Sequence, residues 1–156
     1  MKLHFGIALW EFVPKNKGMV KDIHRYSIET GMGLQKVDGL ENSSYFKEVS
    51  SKYLSNEINI DDLYELVGSY YESKENKANT RVEEADKVSL RIADILLNDG
   101  FVLSSGQFLA IHKRLFEGIY EKAGEFRTYN ISKKEWVLDG NSIAYGDYRD
   151  LEATLE

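Results

Sequence analysis

The fold is decided by one stretch of the chain, Ile111-His112-Lys113-Arg114-Leu115-Phe116-Glu117-Gly118-Ile119-Tyr120-Glu121-Lys122-Ala123-Gly124-Glu125-Phe126-Arg127. Its apolar residues recur at steps of three and four, which predicts a helix. The helix is expected to close at Ala123-Gly124, because glycine commonly takes the left-handed position after a helix. Beyond Arg127 the period changes from helical to alternating, so a strand should follow.

Two β-forming runs follow this helix. Residues 128 to 138 are rich in β-formers, and Asp139-Gly140-Asn141 separates them from Ser142-Ile143-Ala144-Tyr145. An Asp-Gly step between two such runs is the strongest short-range signal for a hairpin. The sequence therefore predicts one β-hairpin, in which Trp136 and Leu138 share a face.

The middle of the chain is helical by period, with two shorter helices before it. Polar residues mark the expected N-caps, and a tight polar connection at Ser55-Asn56-Glu57 is expected to join the first two helices as an antiparallel pair. A longer helix is predicted from Val82 to the stop signal Asn98-Asp99-Gly100. Asn42-Ser43-Ser44 precedes a stripe of Phe46, Val49 and Tyr53, and Asn59 with Asp62 precedes a stripe of Leu63, Val67 and Tyr70 or Tyr71. Ser104 with Gln107 precedes a helix that is expected to bury Phe108, Ile111, Leu115, Phe116 and Ile119.

Composition excludes several functions. The net charge of −6 counts against a general nucleic-acid binder, because neutralising phosphates requires a basic face. The chain has no cysteine, which excludes disulfides and thiolate metal sites and suits the cytoplasm, the expected location. No run approaches the roughly 20 apolar residues that cross a bilayer, so no membrane partner is expected. No histidines or carboxylates have metal-ligand spacing, so no metal site is expected either.

The pattern I-H-x-x-L-F-x-x-I-Y-x-x-A-G-x-x-R in residues 111–127 resembles the opening half of a Fic domain, the fold that transfers AMP from ATP to protein hydroxyls. The resemblance implies a mainly α-helical fold with one β-hairpin. It also implies ATP and Mg²⁺ as cofactors of the complete domain, although this chain alone is expected to bind neither tightly. The family's catalytic loop, H-x-F-x-[DE]-G-N-G-R, follows none of His4, His24 and His112. We therefore assign no catalytic residue, interpret His112 as structural, and expect the C-terminal part of the domain to be missing.

In Fic domains a β-hairpin, the flap, lies beside the active site and docks the target protein by strand addition. The hairpin predicted here occupies that position, after A-G-x-x-R, and an ordinary structural hairpin with Trp136 in the core is the alternative. Main-chain hydrogen bonds would supply affinity for a protein target, and alternate side chains would supply selectivity. The residues that the resemblance places in the flap are Lys134, Glu135, Trp136, Val137, Ile143, Ala144 and Tyr145.

The stretch Val37-Asp38-Gly39-Leu40-Glu41-Asn42-Ser43 resembles the small antitoxin module that partners many Fic domains. In that module a helix carries [ST]-x-x-x-E-G, and its Glu pairs with the Arg of the catalytic loop. Aligned on Gly39, the inhibitory position is Asp38 and the hydroxyl position is Leu34. Both depart from the pattern, because Asp is one methylene shorter than Glu and leucine has no hydroxyl to donate.

The resemblance divides the chain into an unassigned N-terminal arm (1–20), an antitoxin-like helical module (21–75) and the front of a Fic domain (76–156). It implies the front portion of a protein adenylyltransferase that is inactive as given, and a second chain that supplies the rest of the Fic domain is a candidate partner. A non-enzymatic regulatory or target-binding module of a toxin-antitoxin system is the alternative, and a remnant without function is a third option. The apolar run 3–10 is expected to be a strand or an extended arm.

Overall fold

The computed structural model describes residues 17–73, 80–98, 104–134 and 142–155, and the described chain is mainly α-helical. Residues 1–16 of the predicted arm (1–20) therefore lie outside the described residues, as do the helix stop at Asp99-Gly100 and the Asp139-Gly140 turn, whereas residues 17–20 belong to the first helix. The helices are α1 (Lys17–Val37), α2 (Ser44–Leu54), α3 (Ile60–Glu72), α4 (Thr80–Leu97), α5 (Ser105–Phe116) and α6 (Leu151–Leu155), with a 3₁₀ turn at Tyr148–Asp150. Two strands, β1 (Ser132–Lys134) and β2 (Ser142–Ala144), pair antiparallel.

Local capping sets where the short helices begin, as the sequence predicted. The Ser43 side chain accepts from the Phe46 N–H at the start of α2. Asn59 and Asp62 form a reciprocal capping box at the start of α3. Between these helices Asn56 takes a left-handed φ of 61°. Each cap satisfies a backbone donor that a helix end leaves without an intrahelical partner.

The chain separates into two compact units, residues 1–98 and 99–156. All of the described buried apolar side chains lie in the first unit, where helices α1 to α4 pack together. The predicted stripes of α2 and α3 are buried as expected, and Tyr71 rather than Tyr70 is the buried tyrosine. The core comprises Ile28, Phe46, Val49, Tyr53, Leu63, Val67, Tyr71, Leu90 and Ala93. The division into an arm, an antitoxin-like module and a Fic portion stays a prediction.

Helix α1 crosses α4 at close range. A Cβ atom added to Gly31 would lie 2.3 Å from the carbonyl oxygen of Ser89, so only glycine fits at this contact. Ser27, one turn earlier, is fully buried, and its hydroxyl donates to the Ile23 carbonyl at 2.8 Å. Small residues thus let the two helix backbones approach each other.

Helix α5 is shorter than predicted. It ends at Phe116, and the predicted closure at Ala123-Gly124 is wrong. The helical path stops because Glu117 has an extended ψ of 129° and Gly118 takes a left-handed φ of 75°. The apolar spacing of Ile119 and Tyr120 continued the helical pattern in sequence, but these residues lie in the turns that follow.

Helix α6 continues from the 3₁₀ turn. The Asp147 side chain caps that turn by accepting from the Arg149 N–H.

Among the described residues, no helix is long and apolar enough to span a membrane.

Candidate docking site

The second unit carries an apolar groove of about 590 Å³. Helix α5 forms one wall, and none of its residues is fully buried. Of the predicted stripe, Phe108 is 48% exposed, so its predicted burial is wrong, whereas the other residues are half-buried: Ile111, Leu115, Phe116 and Ile119. The stripe was predicted from spacing, whereas burial depends on what packs against it. The groove is lined by Phe108, His112, Tyr120, Lys122, Glu125, Phe126, Arg127, Thr128, Tyr129, Tyr145, Leu151 and Thr154.

His112 fastens the turn after α5 to the helix. Its Nδ1 atom accepts a 2.8 Å hydrogen bond from the main-chain N–H of Gly124. Gly124 has a φ of 85°, and a Cβ there would lie 2.6 Å from the Lys113 Cβ. The Ala-Gly pair of the motif therefore marks a close approach of the turn to α5, rather than the end of the helix.

Arg127 connects the segment before β1 with the segment after β2 through hydrogen bonds. Its guanidinium donates to the Tyr129 carbonyl at 3.0 Å and to the Gly146 carbonyl at 2.6 Å. The planar guanidinium of arginine can donate to two acceptors at once in a fixed geometry. The single ammonium of lysine does not fix the two acceptors in this way. The sequence motif contained this arginine but gave no signal of the role, because its acceptors are backbone carbonyls.

A second set of contacts also holds together the segment before β1 and the segment after β2. The Asn130 side chain accepts from the Tyr148 N–H at 2.9 Å and donates to the Asp147 carboxylate at 3.3 Å. Arg149 donates to that carboxylate from its side chain and its backbone, and these bonds lower the pKa of Asp147 well below its usual range. We call the contacts of Arg127, Asn130 and Asp147 the strand-base clamp.

The residues predicted for the flap fall partly within the described chain. Lys134 ends β1, Ile143 and Ala144 lie in β2, and Lys133 pairs with Ile143 in the register. Tyr145 follows β2 directly, is 36% exposed and lines the groove. Glu135, Trp136 and Val137 lie outside the described residues, so the position of Trp136 stays a prediction.

The candidate inhibitory residues lie in the turn that ends α1. Gly39 has a φ of 71°, its N–H donates to the Lys36 carbonyl, and the Leu40 N–H donates to the Gln35 carbonyl. This is the arrangement in which glycine terminates a helix, so Gly39 has a structural role whatever its other functions. Asp38 is exposed beside it.

A buried carboxylate anchors the chain just after this turn. Asp86 of α4 is 1% exposed and accepts four hydrogen bonds. The donors are the Asn42 amide (3.1 Å), the Ser43 N–H (3.0 Å), the Ser43 hydroxyl (2.5 Å) and the Tyr71 hydroxyl (2.5 Å). Burial and the bond to this carboxylate raise the pKa of Tyr71. This cluster could not be predicted from the sequence, because its members are far apart along the chain.

Among the described residues, no group of three or more His, Asp or Glu side chains is placed to hold a metal ion. The chain matches no protein-family model, no curated protein and no solved structure.

Proposed function

We propose that this chain is the front portion of a Fic-type protein adenylyltransferase, which contributes target docking and regulation but not the chemistry. The uncovered groove of the second unit carries the proposal. A helix whose apolar face is only half-buried is expected where further elements of a domain pack against it. The proposal assigns that position to the helices and catalytic loop of the complete domain.

The strand-base clamp supports the docking part of the proposal. It holds the ends of β1 and β2 together, so the pair can present an edge without support from a larger sheet. The described sheet has only these two strands, and each therefore has one unpaired edge within it. A target segment added to such an edge gains main-chain hydrogen bonds, and its side chains would reach the groove beside Tyr145.

The test of the enzymatic part is AMP incorporation from labelled ATP. We compare this chain with the product of its native reading frame extended beyond Glu156, which the proposal requires to encode H-x-F-x-[DE]-G-N-x-R. We expect no label with the chain alone and label with the extended product. A variant of the extended product with the loop histidine changed to alanine is the control and should be unlabelled. Labelling by the chain alone, or an extension without the loop, would reject the proposal.

The second candidate function is a target-binding module without enzymatic activity, which the open strand edges favour. Its test is selection of binding peptides from a random library on the whole chain, followed by affinity measurement with variants. Ile143→Pro and Ala144→Pro each remove an amide, and successive amides of a strand point to opposite edges. At least one should abolish binding, whereas Ile143→Val keeps the amide and should bind normally. Unchanged affinity in both proline variants would exclude strand addition at β2.

A further inference from the structure

Helix α1 carries an apolar face that α4 does not cover. Ile23, Tyr26, Leu34 and Val37 are between 44% and 63% exposed, and Thr30 lies half-buried among them. At about 100° per residue, these five positions fall within a sector of about 80° on the helix. We call these five residues the α1 stripe. It runs along one side of the helix, next to the face that Gly31 packs against α4.

The stripe is symmetric about its middle residue. Ile23 and Val37 lie seven residues before and after Thr30, and Tyr26 and Leu34 lie four residues before and after it. A second α1 helix, turned end for end about Thr30, would therefore place Ile23 against Val37 and Tyr26 against Leu34. A two-fold interface requires this self-complementarity, because each contact must occur twice with the partners exchanged.

The charged side chains of α1 that the structure describes lie outside the stripe. Arg25, Glu29 and Lys36 are exposed on other sides of the helix, and Arg25 and Glu29 pair at 3.5 Å. Joining two stripes would bury none of these three charges, and burying an unpaired charge is strongly unfavourable. Gly33, at the edge of the stripe, has open space around it, so a second helix can approach closely.

We propose that the α1 stripe is an interface between two copies of this chain, which associate through antiparallel α1 helices about a two-fold axis at Thr30. The stripe is only about 21 Å long, at 1.5 Å per residue. We expect two stripes of this length to bury less than the roughly 1,200 Å² of a standard stable interface. The association is therefore weak and reversible, and it depends on protein concentration.

Cross-linking tests the axis directly, because the natural chain has no cysteine. In Thr30→Cys the two new sulfurs lie on the axis, within the short range of Cα separations that a disulfide bridges. We expect this variant to form a covalent dimer under mild oxidation. In Leu34→Cys alone each sulfur faces Tyr26 of the other copy, so little dimer should form, whereas mixing it with Tyr26→Cys should restore the product. Equal cross-linking of Thr30→Cys and Leu34→Cys would overturn the proposal.

Sedimentation of the whole chain over two orders of magnitude in concentration gives an independent test. We expect Leu34→Glu to abolish the concentration-dependent dimer. Leu96→Glu, at a position 43% exposed on α4, should leave it intact, as should Phe108→Glu in the groove of the second unit. Thermal unfolding of each variant establishes that it is folded. A chain that stays monomeric throughout, or a dimer that is lost in Phe108→Glu but kept in Leu34→Glu, would refute the proposal.

Discussion

The main-chain N–H of Gly124 donates to Nδ1 of His112, so one imidazole nitrogen is committed to holding the turn against α5. An accepting Nδ1 carries no proton, and the neutral ring therefore has its proton on Nε2. The structural role predicted for this histidine agrees with the contact. The same contact accounts for the position of the Ala123-Gly124 pair close to α5.

We predict that His112→Leu loosens this turn and that His112→Asn does not. Leucine removes the acceptor and leaves a part-buried N–H without a partner, which costs about 1–3 kcal/mol. The Oδ1 atom of asparagine can stand close to the position of Nδ1 and accept instead. Hydrogen exchange of the Gly124 amide, followed by NMR, measures the difference. Equal protection in the two variants would show that the bond does not hold the turn.

We predict that Gly31→Ala destabilises the first unit by about 1–3 kcal/mol, the usual cost of overpacking. The added methyl would lie 2.3 Å from the Ser89 carbonyl, which belongs to the backbone of α4 and cannot rotate away. Gly33→Ala is the matched control, because it lies in the same helix with nothing within 4 Å. Its effect should be stabilising by up to about 1 kcal/mol, from helix propensity alone. Urea unfolding of both variants gives the comparison, and similar free energies of unfolding would contradict the close crossing.

The N-caps could be predicted from the sequence because each depends on residues three positions apart. Ser43, Asn59 and Ser104 all accept from the amide that local spacing indicates. The end of α5 could not be predicted in this way, since the apolar period runs on through Ile119 while Gly118 turns the backbone aside.

The contacts of the candidate site could not be predicted from the sequence for a different reason. Arg127 and Gly146 are 19 residues apart, and the acceptor is a carbonyl that every residue possesses. Asp86 likewise meets Ser43 across 43 residues. Sequence pattern identifies which faces are apolar, but it does not identify the long-range partner of a polar group or whether an apolar face is covered.

We predict that the first unit loses stability at alkaline pH through Tyr71. The folded state raises the pKa of its hydroxyl, chiefly through burial and also through the bond to Asp86. The stabilisation is therefore fully present below the pKa of the unfolded tyrosine, about 10, and is lost as the pH rises above it. Tyr71→Phe should lower stability at neutral pH by about 1–3 kcal/mol, because the buried carboxylate loses a donor.

The same variant should flatten the alkaline decline, which urea unfolding at a series of pH values measures. Tyr53 and Tyr45, whose pKa values burial also raises, leave part of the decline in place. Tyr70→Phe is the control, since Tyr70 stacks on Tyr45 and does not bond to Asp86. An alkaline decline as steep in Tyr71→Phe as in the unaltered chain would exclude Tyr71 as its source.

We predict that Arg127→Lys weakens the pairing of β1 and β2 while leaving α5 unchanged. A single ammonium cannot bridge the Tyr129 and Gly146 carbonyls with the geometry of the guanidinium fork. Because each described strand is three residues long, their pairing depends on what holds their ends. NMR contacts between Lys133 and Ile143 report the pairing, and Arg114→Lys in α5 is the control. If the strands stay fully paired in Arg127→Lys, the contacts of Asn130 and Asp147 are sufficient to hold the strand ends together. Peptide binding at β2 should then be unaffected too.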